Sequence, residues 1–160
     1  MTYFLDNKTD KELIDTPFNS ISLTSTSFND ISNSYITFEP KPGSSLVVYS
    51  YINLFRSRSS TTSAKINLKL QYSDDGGVNW SDWGDNTDIL ILGLGSSQRQ
   101  FILFSHNISF CLDSWVGEKS LRIMARVEDG SSAYMQGYSP QYDPNGVRSY
   151  NSAKVSCKSF

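Results

Sequence analysis

The chain is poor in the residue types that build catalytic and metal sites. Its 160 residues include one histidine, His106, and two cysteines, Cys111 and Cys157. The cysteines lie far apart without a CxxC spacing, which excludes a disulfide framework and a thiolate zinc site. No GxSxG motif accompanies His106, so we expect an ordinary strand or bulge residue there. The sequence therefore predicts that the protein is not an enzyme. The two thiols are expected to be reduced and packed, with one bridge between strands as the alternative.

Long apolar runs and an excess of positive charge are also missing. No stretch reaches the ~18 uninterrupted apolar residues of a membrane span, and the first residues lack the cationic and apolar pattern of a secretion signal. We therefore expect a soluble chain that is made in a cytosol, without membrane insertion. The 14 Lys and Arg residues against 16 Asp and Glu residues give a formal net charge of -2. Because no positive field attracts phosphates, we expect no nucleic-acid partner.

The composition and patterning that remain are typical of β-strands. Aromatic residues make up 13% of the chain, and residues 64–73 and 121–129 alternate between apolar and polar side chains, as half-buried strands do. No internal repeat and no long helical pattern occurs. We predict an all-β protein, an antiparallel jelly-roll β-sandwich over residues 20–160. Residues 1–19 mix charges with isolated apolar residues and are predicted to form an extended arm, in which DKELID is a candidate short helix.

The predicted strand over residues 45–55 is apolar on both faces. One face carries Leu46, Val48, Ile52 and Leu54. In a small antiparallel protein one face of such a strand packs on the core, and the other needs a second layer or a neighbouring subunit. We therefore predict an oligomer, with a subunit interface formed by the opposite set, which consists of Val47, Tyr49, Tyr51 and Phe55.

The order of these strands and turns resembles a known family. The segments are a Pro-containing turn (EPKPGSS), a long apolar strand (LVVYSYINLF), a hairpin (LKLQYSDDGGVNW), a Trp-Gly turn (LDSWVGEKSLRI) and a final strand (AKVSCKSF). The layout resembles the trimeric jelly-roll domains, similar to the tumour necrosis factor and complement globular-head fold, of tailed-bacteriophage fibre knobs and head decorations. The resemblance implies a non-enzymatic structural protein that forms a homotrimer, is made in the host cytoplasm and is located in a virion. It also implies that the arm attaches the trimer to other virion proteins of the capsid, fibre or tail.

A second, local resemblance concerns residues 73–80, SDDGGVNW. This segment is similar to the Asp-box turn of sialidases, with Asn79 where Thr is usual. In that family the aspartate caps backbone amides, the glycine adopts an unusual dihedral angle and the tryptophan packs beneath the turn. We therefore assign Asp75, Gly76 and Trp80 to a structural hairpin. A chain of this length is too short for a sialidase propeller.

Two ligand hypotheses stay open beside the structural one. Aromatic side chains in loops stack on sugar rings, which makes the chain an alternative carbohydrate-binding module or receptor-binding fibre tip that contacts a host surface glycan. The candidate residues are Trp83, Tyr134, Tyr138 and Tyr142. The five aspartates Asp74, Asp75, Asp82, Asp85 and Asp88 lie in one loop-rich stretch, where turn formation is the expected role and calcium binding the alternative. No cofactor and no metal ligand is assigned.

Overall fold

The computed structural model describes residues 10–14, 21–31, 34–57, 64–85, 87–91, 104–128, 133–135 and 154–160. For residues 10–14, 54–57, 87–91, 104–106 and 134–135 it describes the backbone alone. These parts of the chain contain twelve strands and no α-helix. The strands are β1 (Asp10–Ile14), β2 (Ile21–Leu23), β3 (Asn29–Asp30), β4 (Ile36–Phe38), β5 (Leu46–Ser57), β6 (Ala64–Ser73), β7 (Ser81–Asp82), β8 (Thr87–Ile91), β9 (Phe104–Asp113), β10 (Lys119–Val127), β11 (Ala133–Met135) and β12 (Lys154–Ser159). No helix long and apolar enough to span a membrane occurs among the described residues.

The first sheet, called the β5 sheet, is built around its longest strand. On one side β5 pairs with β9 over Leu46 to Phe55. On its other side β5 pairs first with β12 and then with β11, which therefore follow one another along the same line. β1 lies beyond β12 and β2 lies beyond β11. The sheet thus has four antiparallel positions, which we call lines, and two of them are each shared by two short strands. The lines are β1 with β2, β12 with β11, β5 alone and β9 alone.

The second sheet, called the β6 sheet, has the same plan. β10 pairs with β6 from Ser120 to Val127. β4 and β3 follow one another along the other side of β10, and β7 and β8 do so along the other side of β6. This sheet also has four antiparallel lines.

The chain passes between the two sheets in jelly-roll order. The first line (β1 with β2) and the third (β5) lie in the β5 sheet, while the second (β3 with β4), the fourth (β6) and the fifth (β7 with β8) lie in the β6 sheet. β9 then returns to the β5 sheet, β10 to the β6 sheet, and β11 with β12 to the β5 sheet. Two packed sheets of four lines wound in this way form a jelly-roll sandwich. The predicted fold class is confirmed.

The core lies between the sheets and follows the two-residue period of the strands. On β6 the residues Ile66, Leu68 and Leu70 are buried, and they face Leu121 and Ile123 from β10 across the same inner surface of the sheet. Both strands were predicted to point these side chains inward, and both predictions are confirmed. Each fully buried aliphatic side chain of this kind stabilises the fold by about 1.5–3 kcal/mol.

The arm predicted for residues 1–19 contains β1. DKELI forms an antiparallel strand against β12, with Leu13 opposite Val155. The short helix considered for this segment is therefore wrong, because pairing with β12 satisfies the backbone groups that an isolated six-residue helix leaves largely unpaired. The boundary between an arm over 1–19 and a domain over 20–160 stays a prediction.

Candidate interaction surface

The outer face of the β6 sheet consists largely of polar groups that bind one another. Lys69 Nζ lies 2.9 Å from Asp82 Oδ2, and Gln71 Nε2 donates to Asp82 Oδ1 at 2.7 Å. Arg122 donates two hydrogen bonds to Gln71 Oε1 and stacks on Trp80, with Cζ 4.0 Å from the ring centroid. The bonds from Gln71 and then from Lys69 hold the pKa of Asp82 below its ordinary value. Groups so engaged gain little from a protein partner.

The outer face of the β5 sheet has a different chemistry. Strand register places three cross-strand rows on it, and no other strand of the described chain lies over it. The rows are Lys158–Val48–Cys111, Ser156–Ser50–Ser109 and Lys154–Ile52–Asn107. Leu46 extends the central line and is 36% exposed. The middle of the face is therefore apolar or small and uncharged, and Ser50 and Ser109 share a hydrogen bond of 2.9 Å between their hydroxyls.

The trimer-interface residues predicted from the sequence do not lie on this outer face. Val47, Tyr49 and Tyr51 have no exposed surface and belong to the core between the two sheets. Their assignment to a subunit interface is wrong, because the β6 sheet of the same chain covers them. The side chain of Phe55 lies outside the described residues.

Two hydrogen bonds explain how tyrosines are accommodated in this core. The Tyr49 hydroxyl donates to the backbone carbonyl of Ser34 at 2.5 Å. Asn53 Nδ2 donates to the Tyr51 hydroxyl, also at 2.5 Å. Burial raises the pKa of Tyr49 well above its ordinary value, so this phenol stays neutral in the folded protein. Paired hydroxyls allow two large rings to fill the core without a desolvation penalty for an unpaired oxygen.

Residues 73–80 form a tight turn organised by one carboxylate. Asp75 Oδ1 accepts the backbone N–H groups of Val78 at 3.0 Å and Asn79 at 2.9 Å. The Asn79 side chain donates to Asp75 Oδ2 at 2.6 Å, so asparagine can replace the usual threonine and still reach the carboxylate. Trp80 Nε1 donates to the carbonyl of Gly77 at 2.9 Å.

The same hydrogen bonds set the titration of the turn. Donation from the backbone of Asn79, followed by the side chains of Ser73 and Asn79, lowers the pKa of Asp75 to about 2. The glycines provide the dihedral angles, since Gly76 and Gly77 have φ of 71° and 95°. Every group named here is used inside the turn, and its role is to hold the hairpin between β6 and β7.

Trp83 belongs to an aromatic cluster at one end of the sandwich. Its ring centroid lies 4.9 Å from that of Tyr72 and 5.2 Å from that of Trp115, and Phe38 meets Trp115 edge-on at 6.2 Å. Trp83 and Trp115 are half-buried against the core. The other predicted sugar-binding residues cannot be placed beside this cluster, because Tyr138, Tyr142 and the side chain of Tyr134 lie outside the described residues.

The two cysteines are free thiols on opposite faces of the β5 sheet. Cys157 is buried in the core, whereas Cys111 is exposed on the outer face. β5 separates them, since Val48 pairs with Cys111 and Tyr49 pairs with Cys157. The alternative of one bridge is therefore wrong. The prediction of a packed thiol is confirmed for Cys157 and wrong for Cys111.

Three of the aspartates considered for calcium bind other groups, and a fourth, Asp85, is exposed. Asp75 binds its own turn, Asp82 binds Lys69 and Gln71, and Asp74 forms an ion pair with Lys119. Among the described residues, no group of three His, Cys, Asp or Glu side chains is placed to hold a metal ion. The side chain of Asp88 lies outside the described residues.

The residues that the sequence reasoning missed are the outward-facing ones on β5. Leu46, Val48 and Ile52 were recognised as one face of the strand but were assigned to the core. Alternation alone cannot distinguish two apolar faces. The deciding information is the register with β12, whose outward set is Lys154, Ser156 and Lys158. A strand whose neighbour carries lysines on one face turns that same face away from the core.

Comparisons with known proteins add one distant structural likeness. No protein-family model and no curated protein matches the chain. Nine solved chains match it. One is the structure of Eiger TNF from S. frugiperda, which is 10% identical, covers 89% of this chain and 93% of its own, and has a TM-score of 0.35. A TM-score of this size does not establish a shared architecture, so the jelly-roll assignment rests on the strand order described above.

Proposed function

We propose that the chain is a non-enzymatic structural module of a phage virion, which assembles as a homotrimer and is attached to other virion proteins by its N-terminal arm. The observation that carries this proposal is the difference between the two outer faces. On the β6 sheet, Lys69, Gln71, Asp82 and Arg122 are bound to one another, whereas the centre of the β5 sheet exposes apolar and small uncharged side chains. The strand and turn layout that resembles virion jelly rolls supports the location in a particle.

Physical chemistry favours a subunit contact over the outer face of the β5 sheet. Leu46, Val48 and Ile52 lie along the central line of the sheet, where water would otherwise meet them. The row Ser156–Ser50–Ser109 leaves the surface flat, which allows close approach of another chain. Burial of apolar area at such a contact stabilises an assembly by roughly 25 cal/mol per Å² before the entropy cost of association.

A matched pair of charge substitutions tests the contact. Val48→Glu places a carboxylate in the centre of the proposed interface, and we expect sedimentation to show a threefold loss of mass, because desolvation of the charge costs more than pairing with the neighbouring Lys158 returns. Met124→Glu is the control. Met124 is half-buried like Val48 but lies on the outer face of the β6 sheet. The control is expected to keep the wild-type mass. Equal behaviour of the two variants contradicts the proposed interface.

The location in a virion has its own test. Particles produced from the genome that encodes this chain are purified on a density gradient, and their proteins are identified by mass spectrometry. We expect peptides of this chain to band with the particles and to be lost from them when residues 1–19 are deleted. Particles that contain no trace of the chain contradict the virion role.

A second candidate function is glycan binding, which the aromatic cluster around Trp83 favours. Trp83 and Trp115 are half-buried at one end of the sandwich, beside the exposed Val116. We expect binding on an array of bacterial surface glycans to be lost in Trp83→Ala and in Tyr138→Ala. Trp80→Phe is the control, because Trp80 lies under Arg122 in the 73–80 turn. No binding by the wild-type chain to any glycan contradicts this function.

A further inference from the structure

β1 is attached to the sandwich through a single neighbour. Its backbone pairs with β12 over five positions, from Asp10 opposite Lys158 to Ile14 opposite Lys154, and with no other described strand. β12 in turn is held on its other edge by β5. Any chain that brings an identical β1 to this edge of β12 would form the same backbone hydrogen bonds. Exchange of β1 between two copies therefore costs none of this pairing.

The connection from β1 to β2 is longer than the path within one chain requires. Ile14 pairs with Lys154 of β12, which in turn pairs with Ile52 of β5. Ile21 pairs with Met135 of β11, which in turn pairs with Phe55 of β5, three positions further along. Three strand positions correspond to about 10 Å, whereas the seven chain steps from Ile14 to Ile21 can reach about 23–25 Å. The segment can therefore reach a β12 edge well beyond its own.

The edge occupied by β1 also adjoins the outer face of the β5 sheet. The register places Asp10, Glu12 and Ile14 in line with Lys158, Ser156 and Lys154, which are the outward positions of β12. The three cross-strand rows of this face therefore continue onto β1. Where this face contacts another copy, β1 lies at the border of the contact.

We propose that β1 is an exchangeable strand, which in the assembled protein pairs with β12 of a second copy of the chain. This inference rests on the proposed trimer and deepens it, because it names an element that each subunit contributes to its neighbour. The exchanged strand links the subunits through backbone hydrogen bonds, in addition to side-chain contacts over the face.

A disulfide between two differently marked full-length chains tests the exchange. Both chains carry Cys111→Ser, which removes the exposed thiol. The first chain carries Lys11→Cys and Cys157→Ser, so its only thiol lies on β1. The second chain keeps Lys11 and Cys157, which lies directly opposite position 11. After the two chains are mixed, unfolded, refolded and oxidised, we expect a covalent heterodimer on a non-reducing gel.

Two control variants make every result informative. Glu12→Cys in place of Lys11→Cys sets the thiol opposite Ser156, toward the other face of the sheet, and is expected to give little heterodimer. A single chain with Lys11→Cys and its own Cys157 reports whether the bridge closes within one chain. A closed intrachain bridge with no heterodimer in the mixture overturns the exchange, and so does the absence of both bridges.

The mass of the assembly separates this inference from the proposed function. A wild-type mass of three chains together with an intrachain bridge overturns the exchange and leaves the trimer intact. A mass of one chain overturns both. A trimer with the covalent heterodimer supports both.

Discussion

At the scale of single residues, the clearest structural roles are those of side chains that satisfy backbone groups. Asp75 accepts two backbone N–H groups in the turn over residues 73–80, and Tyr49 donates to a backbone carbonyl inside the core. Asp75 accepts its bonds as an ionised carboxylate, whereas Tyr49 donates its bond as a neutral phenol. Acid and alkali should therefore weaken the fold through different residues.

The first prediction concerns Asp75 and acid. The pKa of Asp75 is lowered from 3.8 to about 2 in the folded chain, so its contribution to stability is present above about pH 4 and is lost as the pH falls toward 2. We expect Asp75→Asn to lower the melting temperature at neutral pH and to reduce this acid-dependent loss. Melting curves between pH 2 and 7 measure both effects. Asp74→Asn is the control, since Asp74 binds Lys119 and not the turn backbone. Identical pH dependence of wild type and Asp75→Asn contradicts this role.

The second prediction concerns Tyr49. Tyr49→Phe leaves the buried carbonyl of Ser34 without its hydroxyl donor and should lower the free energy of unfolding by about 1–3 kcal/mol. Because burial raises the pKa of Tyr49, its neutral form stabilises the fold below about pH 10. That stability is lost as the pH rises further, and less so in the variant. Tyr35→Phe removes a hydroxyl that is bonded to Ser120 but is more exposed. Chemical denaturation should show a smaller effect for Tyr35→Phe, and an equal effect contradicts the argument.

At the scale of elements, the hairpin between β6 and β7 depends on two neighbouring glycines that differ in their surroundings. Both have positive φ angles. A Cβ atom added to Gly76 would meet nothing within 4 Å, whereas one added to Gly77 would lie 3.2 Å from the Trp80 ring. The turn therefore requires a positive φ angle at both glycines, and at Gly77 it also leaves little room for a Cβ atom.

The third prediction uses this pair. Gly76→Ala should lower the free energy of unfolding by about 1–2 kcal/mol, which is the cost of a left-handed residue with a Cβ atom. Gly77→Ala should cost more, because Trp80 must also move. Urea denaturation of both variants measures the difference. A Gly77→Ala variant as stable as Gly76→Ala shows that Trp80 yields without cost and contradicts the packing argument.

The elements also show what the sequence can and cannot predict. The inward set of β6, including Ile66 and Leu68, follows from strict alternation with polar residues. The segment SDDGGVNW predicts its turn, because a turn is decided by residues close in sequence. β5 resists such reasoning, because both of its faces are apolar and only pairing with β12 decides which is buried. β1 was missed for the same reason, since its pairing strand lies at the other end of the chain.

At the scale of the whole molecule, the jelly roll brings the first and last strands of the described chain together. β1 and β12 are neighbours in the β5 sheet, and the backbone of Phe160 bonds to Leu46 at the start of β5. The outer face that we assign to subunit contact is therefore built from residues near the start, the middle and the end of the sequence. Such a surface exists only in the folded chain, so no local motif predicts it.

The central claim is that this surface assembles the chain into a trimer, and the mass of the intact chain in solution tests it most directly. Light scattering on the purified protein should give three times the chain mass of 18.0 kDa, or about 54 kDa, at micromolar concentration. A mass of 18.0 kDa under the same conditions contradicts the trimer. It would also leave the apolar outer face of β5 without the partner that this account assigns to it.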